Sequence, residues 1–160
     1  MLHLSASQPK TDEHNSAGRR AAAYRWQSLR VLFVHRDADQ VDSCLQELKR
    51  AEFAVEADIV LTLGQCIEQL RKEQFDLIVA EYPSPNWSGT QALQVLRQNV
   101  PVIFVAASLQ RECKAALRAN GAYDFIEPAR MDHLPVAVRG ALEEKKLREE
   151  LAQARNEERP

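Results

Sequence analysis

The residues best placed to do chemistry are Glu81 and the pair His35-Arg36. Glu81 closes the short apolar run Leu77-Ile78-Val79-Ala80, and a turn with Pro85 and Gly89 follows it. His35 and Arg36 close a second apolar run, Val31-Leu32-Phe33-Val34. A carboxylate at the end of a buried strand needs a counter-charge or a set of donors. Arg36 is the natural candidate, because a guanidinium can grip a carboxylate in a bidentate fork. Two arrangements are open: a permanent ion pair between Arg36 and Glu81, with or without His35, or two exposed loop-end side chains. His35 with Asp37 and Glu81 is also a conceivable metal-ligating set, although no spacing motif joins them.

Other chemistries find no support in spacing. Cys44, Cys66 and Cys113 form no CxxC pair, and the four histidines show no ligand spacing with them. The segment His35-Arg36-Asp37-Ala38-Asp39 has no glycine, so it cannot cradle a phosphate as a glycine-rich loop does. No nucleophile–base pair is legible. With a net charge of −2 the chain has no bulk attraction for nucleic acid. No apolar run approaches the roughly 20 residues that span a bilayer. The start Met1-Leu2-His3-Leu4-Ser5-Ala6 has neither the basic opening nor the apolar core of a signal peptide, so a cytoplasmic location is expected.

The elements that must position these residues follow from periodicity. Residues 1–28 are polar and small and are expected to form a loosely packed or disordered arm, with Tyr24 or Trp26 folding back onto the domain. Residues 29–142 are expected to form one domain. Strands are expected at Val31–Val34, Phe53–Val55, Leu77–Ala80, Pro101–Ala106 and Tyr123–Ile126. Helices are expected over about Ala38–Ala51, capped by Asp37 or Asp39; after Thr62, burying Leu63, Cys66, Ile67 and Leu70; and over Gly89–Arg97. Two more are expected around Cys113, Ala116 and Leu117, ended by Gly121, and from Met131 onward. Five strands alternating with helices predict an α/β fold, a five-stranded parallel sheet doubly wound in the flavodoxin-like manner. Chemistry in such sheets sits at the carboxyl ends of the strands, here His35-Arg36, Glu81, Ala106-Ala107 and Glu127-Pro128.

The run into Glu81 with its Pro85 and Gly89 turn, Pro101 before the fourth strand, and Gly121-Ala122-Tyr123-Asp124-Phe125 together resemble the response-regulator receiver domains of two-component phosphorelay signalling. The resemblance covers Leu29 to about Leu142. It implies that Glu81 stands where the family has its phosphoacceptor aspartate. It implies that His35 and Arg36 stand where an acidic pair holds magnesium, and that Ala106 stands where a serine or threonine hydroxyl binds the phosphoryl oxygen. Pro128, or Glu127 with a one-residue gap, stands where the family has a lysine. Phe125 stands at the switch aromatic, with plain core packing as its other role. Every signature position is altered together, so the resemblance is to a pseudo-receiver in which magnesium binding is expected to be lost. A metal-free, non-enzymatic interaction module is the leading expectation. A receiver phosphorylated at an atypical site and a flavodoxin-like small-molecule binder or enzyme are the alternatives. Glu81 as a fixed mimic of phosphoaspartate is a further reading, although the hydroxyl and lysine that would sense it are missing. The expected partner is a protein, a sensor histidine kinase or a downstream signalling module; Tyr82 and Trp87 flank the acceptor turn and suit such a contact if exposed.

Residues 143–160 are rich in helix formers, and Glu144/Arg148, Lys145/Glu149 and Lys146/Glu150 stand at i,i+4. The last helix is therefore expected to extend past the domain. Leu142, Leu147, Leu151 and Ala154 read as one apolar stripe, too short and irregular for a coiled coil, with a solvated helix, a homodimer through the last helices or a signalling helix as its uses.

Overall fold

The computed structural model describes residues 27–84 and 99–158. The N-terminal segment with Tyr24 and Trp26, the Pro85 and Gly89 turn with Trp87, and the helix expected at 89–97 lie outside the described residues. In chain order the described elements are β1 (Gln27–Val34), α1 (Ala38–Arg50), β2 (Phe53–Val60), α2 (Leu63–Lys72), β3 (Leu77–Glu81), β4 (Val102–Val105), α3 (Arg111–Ala119) and β5 (Asp124–Ile126). A 3-10 segment (Pro128–His133) then leads into α4 (Leu134–Glu158). All strand pairings are parallel and the sheet order is β2-β1-β3-β4-β5. This is the α/β architecture expected from the alternation of elements.

Side chains alternate faces along a strand, and a parallel sheet is covered on both. Leu29, Val31 and Phe33 of β1, with Leu77 and Val79 of β3 and Ile103 and Val105 of β4, pack on one side against α1 and α4. Leu32 and Val34, with Ile78, Ala80, Val102 and Phe104, pack on the other side against α2 and α3. Each central strand therefore reads as an unbroken apolar run because alternate residues serve different cores. Phe104 lies at the centre of the second core, edge-on to Tyr82 at 5.4 Å and stacked on Phe125 at 6.0 Å.

Several boundaries differ from expectation. β2 is much longer than Phe53–Val55, pairing with β1 from Gln27↔Phe53 to Val34↔Val60. It is an edge strand in which only Phe53 and Val60 are buried, and Glu56 and Asp58 break its apolar pattern. Charges on an edge strand suit the exposed side while hiding the strand from sequence reading. β1 likewise begins at Gln27, its first residues held by β2 rather than by burial. β4 excludes Pro101 and Ala106, and β5 excludes Tyr123. The last helix begins at Leu134 rather than Met131, with Pro135 in its first turn, where a missing N–H is harmless.

The helix ends follow capping rules. Asp37 accepts from the Asp39 and Gln40 N–H groups at 3.0 and 3.3 Å, so Asp37 and not Asp39 caps α1. Thr62 forms a capping box with Gln65 at the start of α2. Gly121, at φ 118°, follows the α3 C-cap in a backbone region that favours glycine. Within β1, Arg30 pairs with Asp58 of β2 at 3.3 Å and with Glu73 at the end of α2 at 2.9 Å.

Replacing Phe33, which is fully buried, by alanine is expected to cost about 3–5 kcal/mol. Thr62→Ala is expected to cost about 1 kcal/mol through the lost cap. Urea unfolding monitored by circular dichroism, with an unchanged m-value, checks both. Burial pushes the Cys44 and Cys66 thiols up to about 12. Their thiolate fraction at pH 8 is therefore negligible, and a thiol reagent is expected to label the partly exposed Cys113 first. All the cysteines react once the chain is unfolded in denaturant.

Candidate functional site

The strand ends converge as the parallel register requires. Val34 pairs with Ala80, Glu81 with Val105, and Val105 with Ile126, so residues 35–36, 81, 106 and 127 share one rim of the sheet. His35, Arg36, Asp37, Ala38, Asp39, Gln40 and Glu81 line a hollow of about 510 Å³ there.

Glu81 is held by one residue in two ways. The Arg36 backbone N–H donates to Oε1 at 3.1 Å, and Arg36 Nε donates to Oε2 at 3.2 Å. The ion pair read from the sequence is formed, but not as a guanidinium fork: one of its two arms is main chain. The reason is reach. Arg36 is the second residue past β1, and its own peptide N–H meets the carboxylate at the end of the neighbouring strand β3. The Glu81 side chain is 13% exposed and that of Arg36 55%, so one partner is sheltered and the other hydrated. An ion pair with a hydrated partner contributes at most about 1 kcal/mol.

His35, directly after β1, is 3% exposed. Its Nδ1 accepts the Asp37 N–H at 3.0 Å, which assigns the ring proton of a neutral imidazole to Nε2. Nε2 is buried and has no hydrogen-bond partner among the described residues. His35 thus shapes the loop from within and does not join Arg36 on the carboxylate. Asp37 is absorbed by the helix cap described above. Its role there was legible, because an aspartate directly before a helical pattern is a capping signal. Among the described residues no three His, Cys, Asp or Glu side chains gather as metal ligands.

The remaining rim residues surround a separate hollow of about 380 Å³ lined by Ala106, Ser108, Lys114, Phe125, Glu127, Arg130 and His133, among others. Ala106 is buried, its N–H bonded to the Ile126 carbonyl at 3.0 Å. Pro128 opens the 3-10 segment and Glu127 is exposed before it. Arg130, the nearest cation in sequence, contacts His133 Nε2 at 2.7 Å and Asp132 at 4.0 Å. Phe125 lies between Phe104 and the Arg118 guanidinium, which sits 5.2 Å from its ring centre. That stack was invisible in sequence because it joins three elements. Tyr82 is partly buried beside Cys113, and burial first, then that thiol, raises its hydroxyl above the usual tyrosine range.

A double-mutant cycle on Arg36→Ala and Glu81→Ala is expected to give a coupling of about 0.5–1 kcal/mol. The coupling should fall as salt is raised from low ionic strength, because the arginine is hydrated. Part of the grip survives in Arg36→Ala, whose main-chain N–H remains. Glu81→Ala alone is therefore expected to be the more destabilising change in denaturant unfolding.

No protein-family model matches the sequence, and no curated protein does. Solved structures do match. A response regulator receiver domain protein (CheY-like) from Methanospirillum hungatei JF-1 is 25% identical, with a TM-score of 0.63 over 76% of this chain and 99% of its own. The signal receiver domain of a Luxo repressor protein from Vibrio parahaemolyticus is 26% identical, with a TM-score of 0.66 over 78% and 97%. NtrX from Brucella abortus is 23% identical, with a TM-score of 0.67 over 81% of this chain but only 30% of its own. With its sheet order, its rim of strand ends and these likenesses, the chain has the fold of the response-regulator receiver (CheY-like) domains.

Proposed function

We propose that this chain is a receiver-like signalling module that acts by binding a protein partner and does not accept a phosphoryl group. The observation that carries the reading is the grip of Arg36 on Glu81, at 3.1 Å from the main chain and 3.2 Å from the side chain. Both carboxylate oxygens are engaged by one residue that is itself cationic. In this reading Glu81 is the acceptor equivalent, His35 and Arg36 replace the acidic pair, Ala106 the hydroxyl, and Pro128 or Glu127 the lysine.

The donor set does not fit magnesium. That ion demands an octahedron of oxygens, and here the strand-end carboxylate Glu81 is already held by a guanidinium beside an inward-facing imidazole. The Asp37 Oδ1 is taken by the two N–H groups it caps at the start of α1. Phosphoryl transfer to a carboxylate needs cations to neutralise charge as it develops. Arg36 brings a charge, but it is spent on holding Glu81 in place. The module's output is then contact with a partner, such as a sensor histidine kinase or a downstream signalling protein, and no turnover.

The test is incubation with acetyl phosphate and magnesium, read by intact mass, on wild type and Glu81→Asp. No adduct is expected on either, and magnesium is expected to leave the thermal midpoint unchanged. A stable adduct on wild type would overturn the reading. An adduct confined to Glu81→Asp would overturn the claim that the whole pocket is rebuilt, leaving the acceptor alone at fault.

A further inference from the structure

The C-terminal helix carries two unlike faces. Toward the body, Leu134, Val138 and Ala141 recur at helical spacing and are buried, and Leu142 is half-buried against the same core. Leu142 therefore leaves the apolar stripe to which spacing had assigned it. Leu147 and Leu151 are 53% and 59% exposed, and Ala154 is exposed as well. At about 100° per residue these three fall within about 60° of one another, some 140° round the helix from the buried face. Val136, 70% exposed, lies on the same side about three turns before Leu147. Among the described residues, three of the five large apolar side chains left exposed are on this strip.

The charges beside the strip are sorted by sign. Placing Leu147 and Ala154 at d and Leu151 at a of a heptad puts Glu143, Glu150 and Glu157 at g and Arg148 and Arg155 at e. All three of these g residues are acids and both of these e residues are bases. In a parallel, in-register pair each g residue faces the e residue five places on in the other helix. Glu143 would then meet Arg148 of the second copy, and Glu150 would meet Arg155 of the second copy. An antiparallel pair would set glutamate against glutamate and arginine against arginine. Within the chain Arg148 contacts Glu144 at 2.7 Å and Lys145 approaches Glu149 at 3.8 Å. Such surface i,i+4 pairs are weak and do not commit Arg148.

We infer that α4 beyond the body is a parallel homodimerisation helix whose occupant is a second copy of this chain, fixed in direction and register by its g-position glutamates and e-position arginines. Glu144 and Glu158 occupy the other a positions of this short seam, so the dimer is concentration-dependent. The inference rests on the helix alone and is independent of the proposed state of Glu81. The acetyl-phosphate result leaves it untouched.

The full chain carrying Cys113→Ser is given one new thiol, Ala154→Cys at a d position or Asn156→Cys at an outward f position. Mild oxidation is expected to cross-link the first into dimers and leave the second monomeric. Separately, Arg148→Glu with Arg155→Glu, and Glu143→Arg with Glu150→Arg, are each expected to sediment as monomers. An equimolar mixture of the two is expected to recover the dimer, with unchanged helicity by circular dichroism showing that both fold. A monomeric wild type at every concentration, equal cross-linking at both positions, or dimers in the charge-reversed chains alone would each overturn the inference.

Discussion

Everything at the functional rim depends on burial of the central strands from both sides. β3, β4 and the stretch Val31–Val34 of β1 are apolar at every interior position, alternate residues feeding a core with α1 and α4 and a core with α2 and α3. A strand so placed cannot slip by one residue without exchanging its two cores. The register that brings Val34 beside Ala80 and Glu81 beside Val105 is therefore rigidly held. Beyond Val31 the first charged or polar groups of β1 and β3 come where these strands leave the sheet, at the same rim. Arg36 meets Glu81 because the sheet delivers both to one place.

The consequence is a strand-end carboxylate held by donors of the chain itself. A lone carboxylate there would need to be solvated or neutralised. Glu81 instead finds a peptide N–H and a guanidinium N–H from one residue. His35 supports this from below, its Nδ1 holding the Asp37 N–H while Asp37 caps α1. Strand end, loop and helix start are thus linked by short contacts, and the loop geometry follows from them. The orphaned Nε2 of His35 is the part of this arrangement that has no physical account among the described residues.

Where sequence reading succeeded and failed has a common cause. Central strands announced themselves as apolar runs, and caps such as Asp37 and Thr62 as single residues before helical patterns. The edge strand β2 was cut short because one face of it meets solvent and Glu56 and Asp58 sit within it. The C-terminal stripe was misassigned because Leu142 and Leu147 look equivalent in a linear pattern, whereas only Leu142 reaches the core. Removing Leu142 is what leaves a coherent strip with sorted charges beside it. Phe125, expected from the sequence as a switch aromatic or a packing residue, stacks on Phe104 with the Arg118 guanidinium close to its ring.

By itself the sequence determined the class of fold, the order of its described elements, and which residues lie at the carboxyl rim of the sheet. Those properties follow from local periodicity and from the few ways a chain can cover a parallel sheet. Only the tertiary structure decided how the strand ends meet. It made the hold on Glu81 half main chain, turned His35 inward, gave Asp37 to a helix cap, and sent Arg130 to His133. Each of those outcomes turns on a few ångströms between residues far apart in sequence, and no pattern along the chain encodes such distances.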